Sequence, residues 1–582
     1  MKTYLIVGGV AGGASTAARL RRNDESARII IIERGRYISY ANCGLPYYIG
    51  GVIKTRDKLF VQPKEEFAQR FNLEIRTLHE VIGLEREEKK VRIRDLENNK
   101  EYYESYDKLI LSPGARPFKP PVSGSDLPGV FVLRDVEDTD RIKEYIDKRK
   151  PEKAIVIGAG YIGIEMIENL NEICSEVSLV EMEDRILPFF DFEIASALGR
   201  HIKARGININ LRERVVSLQK EGDSITANLA SNKQIDSDIV IFATGVRPDT
   251  EWLKESGLKL SNNGSIVVDE YLRTSDENIY AVGDAIVTKQ LVLNQDFNAF
   301  LAGPANKQGR AVADNITGDN IRKFKGAFPT AIIKVFELTA GMVGVSERQL
   351  QQQRMEYFTV ATHSSDHAGY YPGASPISLK LLCNPEEGRI LGAQIIGYQG
   401  VDKRIDVVAA FMQNNGTVYD LTDFEHSYAP PFSSARDPLT LAGYVGENLL
   451  QRKFQAITWQ DLRKKEYRDA FLLDVRKKEE FECCTIPGSI SIPLDELRSR
   501  LNELPRDRKI VAFCLSGQRS YLACRILLQK GFSNVYNLNG GFKTYQFVYC
   551  RHEKIDIYDD ETIKPDDQIH PECQTADCPY TL

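Results

Sequence analysis

Long apolar runs are missing from this chain: no stretch approaches about 18 uninterrupted apolar residues, so no membrane span is expected. A surplus of basic charge is missing too. With 76 Lys and Arg against 82 Asp and Glu the net charge is −6, which argues against a chain-wide footprint for nucleic acid and leaves any anion site to local clusters. Cysteine is scarce. Ten in 582 residues, at positions 43, 174, 383, 483, 484, 514, 524, 550, 573 and 578, are too few and too unlike in context for a disulfide scaffold, and fit a reducing compartment with a few special thiols. What remains, 42 % hydrophobic and 27 % charged residues, is an ordinary globular composition, long enough for roughly three to five compact units.

The opening MKTYLIVGGVAGGASTAARL has a superficial look of a signal peptide. Its apolar stretch is short, broken by glycine and followed by Arg19, Arg21 and Arg22, so it reads as a first strand, turn and helix, and the protein is expected in the cytoplasm. RIIIIE at 28–33 is the next strand, ending in Glu33. The same grammar returns in AIVIGAGYIGIEMIENL at 154–170, followed by VSLVE ending in Glu181. Two dinucleotide folds in one chain say more than either glycine motif alone. In the second, Gly158, Gly160 and Gly163 complete G-x-G-x-x-G, where turn, ligand approach and helix packing each exclude a side chain. In the first, Gly8 and Gly13 hold the outer positions but Val10 stands in the middle. From about 325 the alternating runs AIIKVFEL, MVGVSE, EYFTVATH, SLKLLCN and RILGAQIIG predict an antiparallel sheet, with a helix near 401–415. A further α/β pattern runs from 457 to 550 before a polar, Asp-rich tail.

The paired units, together with LSPGARP (111–117), ATGVRP (243–248) and IYAVGDA (279–285) in that order, resemble the two-dinucleotide-domain disulfide reductases. The resemblance implies FAD in the first fold and NADH or NADPH in the second. Gly8, Val10, Ala11, Gly13, Glu33, Arg34, Ser112, Gly114, Asp284, Pro304 and Ala305 would then hold FAD, Glu33 on its ribose and Asp284 on its ribityl chain. Gly158, Gly160, Gly163 and Glu181 would hold the nicotinamide nucleotide, with NADH favoured because a carboxylate at 181 accepts a 2′-hydroxyl and repels a 2′-phosphate.

The redox centre discriminates within that family. Glutathione-reductase-like members carry C-x4-C, whereas Cys43 lies in SYANCGLPYYIGG, with Tyr48 five residues on and Ile38 five before. A lone thiol has to pair with something external. S-x-x-N-C-G resembles the single-cysteine branch: coenzyme A disulfide reductases, persulfide reductases, and NADH oxidases and peroxidases. A thiolate beside a flavin can attack a sulfur–sulfur bond, provided its pKa is lowered. Oxidases and peroxidases of this branch carry a histidine in the first glycine cluster where this chain has Ala11, which favours the thiol-substrate members. Ser15, Arg19 and Arg22 share a helix face by spacing and could hold coenzyme A phosphates, or form a solvated basic face. Ser39, Asn42 and Asn306 complete the substrate contacts that the resemblance implies. HAGYYPG (367–373) and HSYAPPFSSARDP (426–438) further resemble coenzyme A disulfide reductases, in which two tyrosines from the partner subunit reach the redox cysteine. By position these are Tyr428 and Tyr370, with Tyr371 the weaker candidate, and Arg436 is a candidate for substrate phosphate. A homodimer with a shared active site follows from the resemblance.

The last α/β pattern, with LLDVR, IPGSISIP and C-x-x-G-x-R-S in order, resembles a rhodanese module. Cys514 would carry a persulfide in a loop whose amides, from Leu515 to Arg519, cradle an anion; Arg519 would add charge, and Asp474 and Arg476 would brace the loop. Thr485 stands where many such modules have histidine. The pair Cys573 and Cys578 in ECQTADCPY, with His570 alone beside it, makes an unconvincing metal site and reads as a disordered tail with two incidental thiols; Cys483 and Cys484 receive the same reading, and no metal is expected.

The fold expected is thus α/β: FAD-binding residues 1–150 and 272–325, NAD(P)H-binding 151–271, an α+β dimerisation domain at 326–447, an α/β rhodanese domain at 457–550, and a tail at 551–582. The activity expected is reduction of coenzyme A persulfide, polysulfide or coenzyme A disulfide through Cys43, coupled to sulfur transfer by Cys514. Its rivals are an NADH oxidase or peroxidase that cycles Cys43 through sulfenic acid, and a redox-sensing scaffold for sulfur trafficking.

Overall fold

The computed structural model describes residues 1–549, and the tail cysteines Cys573 and Cys578 lie outside them. Two compact units form. One joins Met1–Val180 to Glu213–Phe328, and the other joins Glu181–Arg212 to the described residues from Pro329. No helix among the described residues is long and apolar enough to cross a membrane.

In the first unit, TYLIV and RIIIIE are continuous apolar runs because parallel sheets are covered on both faces. Thr3–Val7 is the central strand, paired in parallel with Arg28–Glu33 on one side and Lys108–Leu111 on the other; Glu74–Thr77 and Ile279–Ala281 form the edges. Leu5, Ile6, Ile30, Ile31, Leu109 and Ile110 are wholly buried. Each such side chain contributes about 1.5–3 kcal/mol relative to exposure. A second parallel sheet runs in the order Glu176–Val180, Lys153–Ile157, Ile239–Phe242, Val130–Val132. In both sheets a glycine turn follows a central strand and opens a helix, Ala11–Asn23 in the first and Tyr161–Asn171 in the second. Ligands of open α/β sheets bind at that end of the strands.

The second unit is built on an antiparallel sheet ordered Thr330–Val335, Leu338–Gly344, Ile390–Gly397, Pro376–Cys383, Phe358–Ser365. The run AIIKVFEL, read from sequence as one strand, is instead a hairpin corner: the chain reverses between Val335 and Leu338, with Phe336 at φ 53°. Hairpin turns of this hand usually announce themselves by Asn or Gly, and here neither is present. The helix expected at 401–415 spans Val401–Gln413. Segment Glu181–Arg212 is anchored in this unit by a buried lysine: Lys380 Nζ lies 2.9, 2.6 and 2.8 Å from Asp191, Glu193 and Glu347.

The C-terminal α/β sheet is parallel and ordered Gln455–Ile457, Val535–Leu538, Ile510–Phe513, Phe471–Asp474, Ile490–Ser491. Asn539, at the end of Val535–Leu538, fastens it to the antiparallel sheet: its carboxamide donates to the Thr359 carbonyl at 2.9 Å and accepts from the Ala361 amide at 2.9 Å.

Candidate active sites

The first glycine turn is shaped by backbone contact. Gly8 has φ 94°, and a Cβ there would lie 2.0 Å from the Ser112 carbonyl oxygen; one on Gly13 would lie 1.8 Å from the Gly8 oxygen. Val10 occupies the middle position without harm to the turn, and helix Ala11–Asn23 starts with no side-chain cap, its first amides available to an anion. Gly12, which the sequence motif did not single out, has to be glycine for a different reason: a Cβ would meet Val282 Cγ2 and Ser112 Oγ at 2.8 Å. Glu33 accepts from the Gly9 and Gly35 amides at 2.7 and 2.8 Å, and burial pushes its carboxyl up. Arg34 pairs with Asp249 at 3.0 Å, and the Asp249 amide bonds the Gly114 carbonyl. Burial raises the Asp284 carboxyl, with Arg134 opposing. Asp284 follows Gly283, whose amide is held by Gln308 of helix Ala302–Gly318; Pro304 and Ala305 lie in the first turn of that helix. A turn closed to side chains at Gly8, Gly12 and Gly13, a helix start with uncapped amides, and the carboxylates Glu33 and Asp284 fit a dinucleotide.

Cys43 sits in the single 3-10 turn Asn42–Gly44 that leads into the short helix Leu45–Ile49. Ser39, just before, is held at φ 47° with its amide bonded to the Gly9 carbonyl, which ties the redox loop to the first glycine turn. Asn42 Oδ1 is buried with no hydrogen-bond partner, an acceptor left for a ligand. Burial, then the carboxylates of Glu165 and Asp284, push the Cys43 thiol above its ordinary value. The lowered pKa expected from sequence is therefore not supplied by these protein groups: burial raises the thiol most, and the two carboxylates act in the same direction. Glu165 had gone unnoticed in the sequence. It lies two residues beyond Gly163, Tyr47 donates to its Oε1 at 3.3 Å, and burial raises its carboxyl to about 7. No local pattern announces it, because Tyr47 and Glu165 are 118 residues apart in the chain.

Ser15 Oγ donates to Asn306 Oδ1, so two of the expected substrate contacts meet. Arg19 does not stand free on a solvated face. Its Nε donates to Asp314 at 2.6 Å, while Arg22 is exposed and donates from Nε to the Ala18 carbonyl. In the second glycine turn, Gly158 has φ 103° and a Cβ on Gly163 would lie 1.9 Å from the Gly158 oxygen, yet nothing lies within 4 Å of a Cβ built on Gly160. The outer glycines serve the protein, and the space beside the middle one is open. Glu181 follows Glu176–Val180 directly in the chain and accepts from the Glu183 amide at 2.9 Å.

In the second unit the hydroxyls of Tyr370 and Tyr428 are 3.1 Å apart. Both rings are exposed, at 76 % and 48 %, so the pair stands on a surface. Tyr371 instead leans on the His367 ring, 5.9 Å between centroids. The two loops are joined from beneath by Arg404, which donates to Asp437 and to the Asp366 carbonyl, each at 2.7 Å. Arg436, next to Asp437 in the chain, is exposed.

Cys514 is buried at the end of strand Ile510–Phe513, and its sulfur accepts from the Gly517 amide at 3.2 Å and the Ser520 hydroxyl at 3.5 Å, just ahead of helix Gln518–Gln529. Gly517 takes φ 96°, which turns its amide inward. The brace is as expected: Asp474 and Arg476, both wholly buried, pair at 2.7 Å, and Thr485 Oγ1 donates to the same carboxylate. The two Nη groups of Arg519 are engaged by Glu480 at 2.6 and 2.7 Å, and Arg519 also interacts with Cys514. Cys483 is exposed, while the carbonyl of Cys484 accepts from Arg476.

Comparison with known proteins agrees with this architecture. Residues 2–304 match the pyridine nucleotide-disulphide oxidoreductase model, 330–439 its dimerisation domain, and 456–547 a rhodanese-like domain. A coenzyme A disulfide reductase of Staphylococcus haemolyticus is 34 % identical over 449 residues, 77 % of this chain and 100 % of that protein. Among solved structures, the reduced CoADR-RHD protein of Bacillus anthracis is 46 % identical with TM-score 0.92, covering 94 % of this chain and 98 % of its own. An NAD-dependent persulfide reductase from A. fulgidus is 39 % identical with TM-score 0.87, covering 93 % and 100 %.

Proposed function

The chain belongs to the pyridine nucleotide-disulphide oxidoreductase family, and on that footing we propose that it uses NADH to reduce coenzyme A persulfide, with polysulfide and coenzyme A disulfide as related substrates. One observation carries the reading: Cys43 is a solitary thiol, the next cysteine being the buried Cys174, so its covalent partner has to be the substrate. The Cys514 cradle in the same chain supports a sulfane-sulfur substrate, since a sulfur carrier is idle where no sulfane sulfur is handled.

The balance is NADH + H⁺ + coenzyme A persulfide → NAD⁺ + coenzyme A thiol + hydrogen sulfide. Attack of Cys43 Sγ on the sulfur next to the coenzyme A carbon breaks the persulfide S–S bond, expels hydrosulfide and leaves a mixed disulfide with coenzyme A. The Gly8–Gly13 turn, Glu33 and Asp284 would hold FAD, which when bound would supply two-electron redox chemistry between NADH and a disulfide. Asn42 Oδ1 offers an acceptor beside the thiol. Burial, Glu165 and Asp284 favour the neutral thiol, so Cys43 has to give up its proton as it attacks. Glu165, which accepts from Tyr47 and whose carboxyl burial raises to about 7, acts on the Cys43 thiol through its charge. A second copy of the chain supplies Tyr370 and Tyr428 as donors to the departing sulfur. Glu181 favours NADH over NADPH by repelling a 2′-phosphate. An oxidase or peroxidase finds no support at position 11, where Ala11 merely opens the first helix.

Anaerobic NADH oxidation with coenzyme A persulfide, polysulfide, coenzyme A disulfide and peroxide in turn, with sulfide assayed, tests the reading. Preference for the persulfide with one sulfide released per NADH is the expected result; preference for peroxide, or no turnover, overturns it.

A further inference from the structure

Helices Ala11–Asn23 and Ala302–Gly318 lie against each other so closely at Gly309 that a Cβ there would meet the Gly12 oxygen at 2.6 Å. Along the second helix, Asn306, Arg310 and Asp314 recur every four residues and share a face; along the first, Ser15, Arg19 and Asn23 do the same. The two rows meet. Ser15 bonds Asn306, and both Arg19 Nε and Asn23 Nδ2 donate to Asp314 Oδ1, at 2.6 and 3.0 Å. Arg322 reaches the other carboxylate oxygen at 3.4 Å. Asp314 is buried, and although burial opposes it, the bonds from Arg19 and Asn23 hold its carboxyl below the ordinary range; the charge of Arg310 acts in the same direction.

One carboxylate thus faces Arg19, Arg310 and Arg322, with Arg22 exposed on the adjacent turn, in a chain whose net charge is −6. The excess is positive and local. Asp314 engages Arg19 through Nε, which leaves the paired Nη groups for an anion. Arg310 is exposed and lies midway between the Ser15–Asn306 and Arg19–Asp314 contacts. From Asn306 to Asp314 the helix rises about 12 Å, a length suited to several phosphates on one molecule.

Resting on the reading that coenzyme A persulfide is the substrate, we propose that Arg310 is a further phosphate contact of the coenzyme A moiety, and that Asp314 is the positioning residue that fixes Arg19 beside it. Polysulfide, which carries no phosphate, is the internal control. In Arg310→Gln holoenzyme the ratio of kcat/KM for coenzyme A persulfide to that for polysulfide is expected to fall about tenfold, through KM rather than kcat, as suits the loss of one charge-assisted hydrogen bond. Asp314→Asn should lower the same ratio, yet add nothing when placed on Arg19→Gln, because it acts through that residue. A ratio within about twofold of wild type in Arg310→Gln, an equal loss on both substrates, or additive effects of the Arg19 and Asp314 substitutions overturns the proposal. Wild-type enzyme that turns over polysulfide but no coenzyme A substrate overturns the underlying reading instead, and the proposal with it. Arg310 is exposed, so its variant keeps the test decisive even where Asp314→Asn fails to fold.

Discussion

Tyr370 and Tyr428 lie 58 residues apart in sequence, and their hydroxyls are 3.1 Å apart on an exposed surface. One phenol donates to the other, so the pair presents one free proton and acts as a unit. Tyr370→Phe and Tyr428→Phe are each expected to lower kcat for coenzyme A persulfide by about tenfold or more, and the double variant by less than the product of the two. Anaerobic stopped-flow NADH oxidation reads this directly. Full multiplication of the two effects would show that the hydroxyls act separately.

Arg404 and Asp437, both buried, hold the loops that carry those tyrosines. Burial disfavours the Asp437 carboxylate but its bonds to Arg404 prevail, so its folded pKa lies below the ordinary value. Its contribution to stability is therefore complete above the unfolded carboxylate pKa and is lost as pH falls through the folded one. Arg404→Met, which leaves that carboxylate buried and unpaired, should cost about 3–5 kcal/mol at neutral pH. Denaturant unfolding followed by far-UV circular dichroism measures it, and the deficit should shrink in acid.

Glu165 links the redox loop to the second dinucleotide helix, and its carboxyl is raised to about 7 by burial. As it ionises it opposes the Cys43 thiolate. Glu165→Gln should move the pH profile of Cys43 alkylation by iodoacetamide to lower pH and remove an inflection near pH 7. An unmoved profile would mean that the two groups do not sense each other.

The three glycines of the second turn make an internal contrast. Gly163→Ala sets a methyl 1.9 Å from backbone oxygen, whereas Gly160→Ala meets nothing in the protein. The first should unfold or fail to express. The second should fold with unchanged melting temperature and raise KM for NADH by about tenfold or more, since the methyl occupies space that the pyrophosphate needs.

Cys514→Ser should abolish sulfur transfer from thiosulfate and spare NADH-dependent reduction of small substrates, while Cys43→Ser does the reverse. Glu480→Gln releases the Arg519 guanidinium toward the Cys514 loop and should tighten anion binding there by a few-fold. Sulfite inhibition constants report the change.

Much of the fold could be read from the chain because its information is local. Apolar runs of five or six residues that end in glycine, and the carboxylates Glu33 and Glu181 one strand later, specify β-turn-α units through sterics and burial alone. Cys43 and Cys514 were legible for the same reason, each in a short segment whose neighbours define its loop. The Phe336 corner was not, because its positive φ is imposed by sheet packing on a residue that does not announce it.

What the sequence by itself determined, then, is the order of modules and the loops in which Cys43 and Cys514 lie. Only the tertiary structure decided the charge around them. That the charge of Glu165 acts on Cys43, that Glu480 pairs with Arg519, that Asp314 holds Arg19 and that Arg404 joins the two tyrosine loops are all long-range relationships. Coulomb energies and hydrogen bonds depend on distances of a few ångströms and on burial, and neither is encoded in the spacing of residues along the chain.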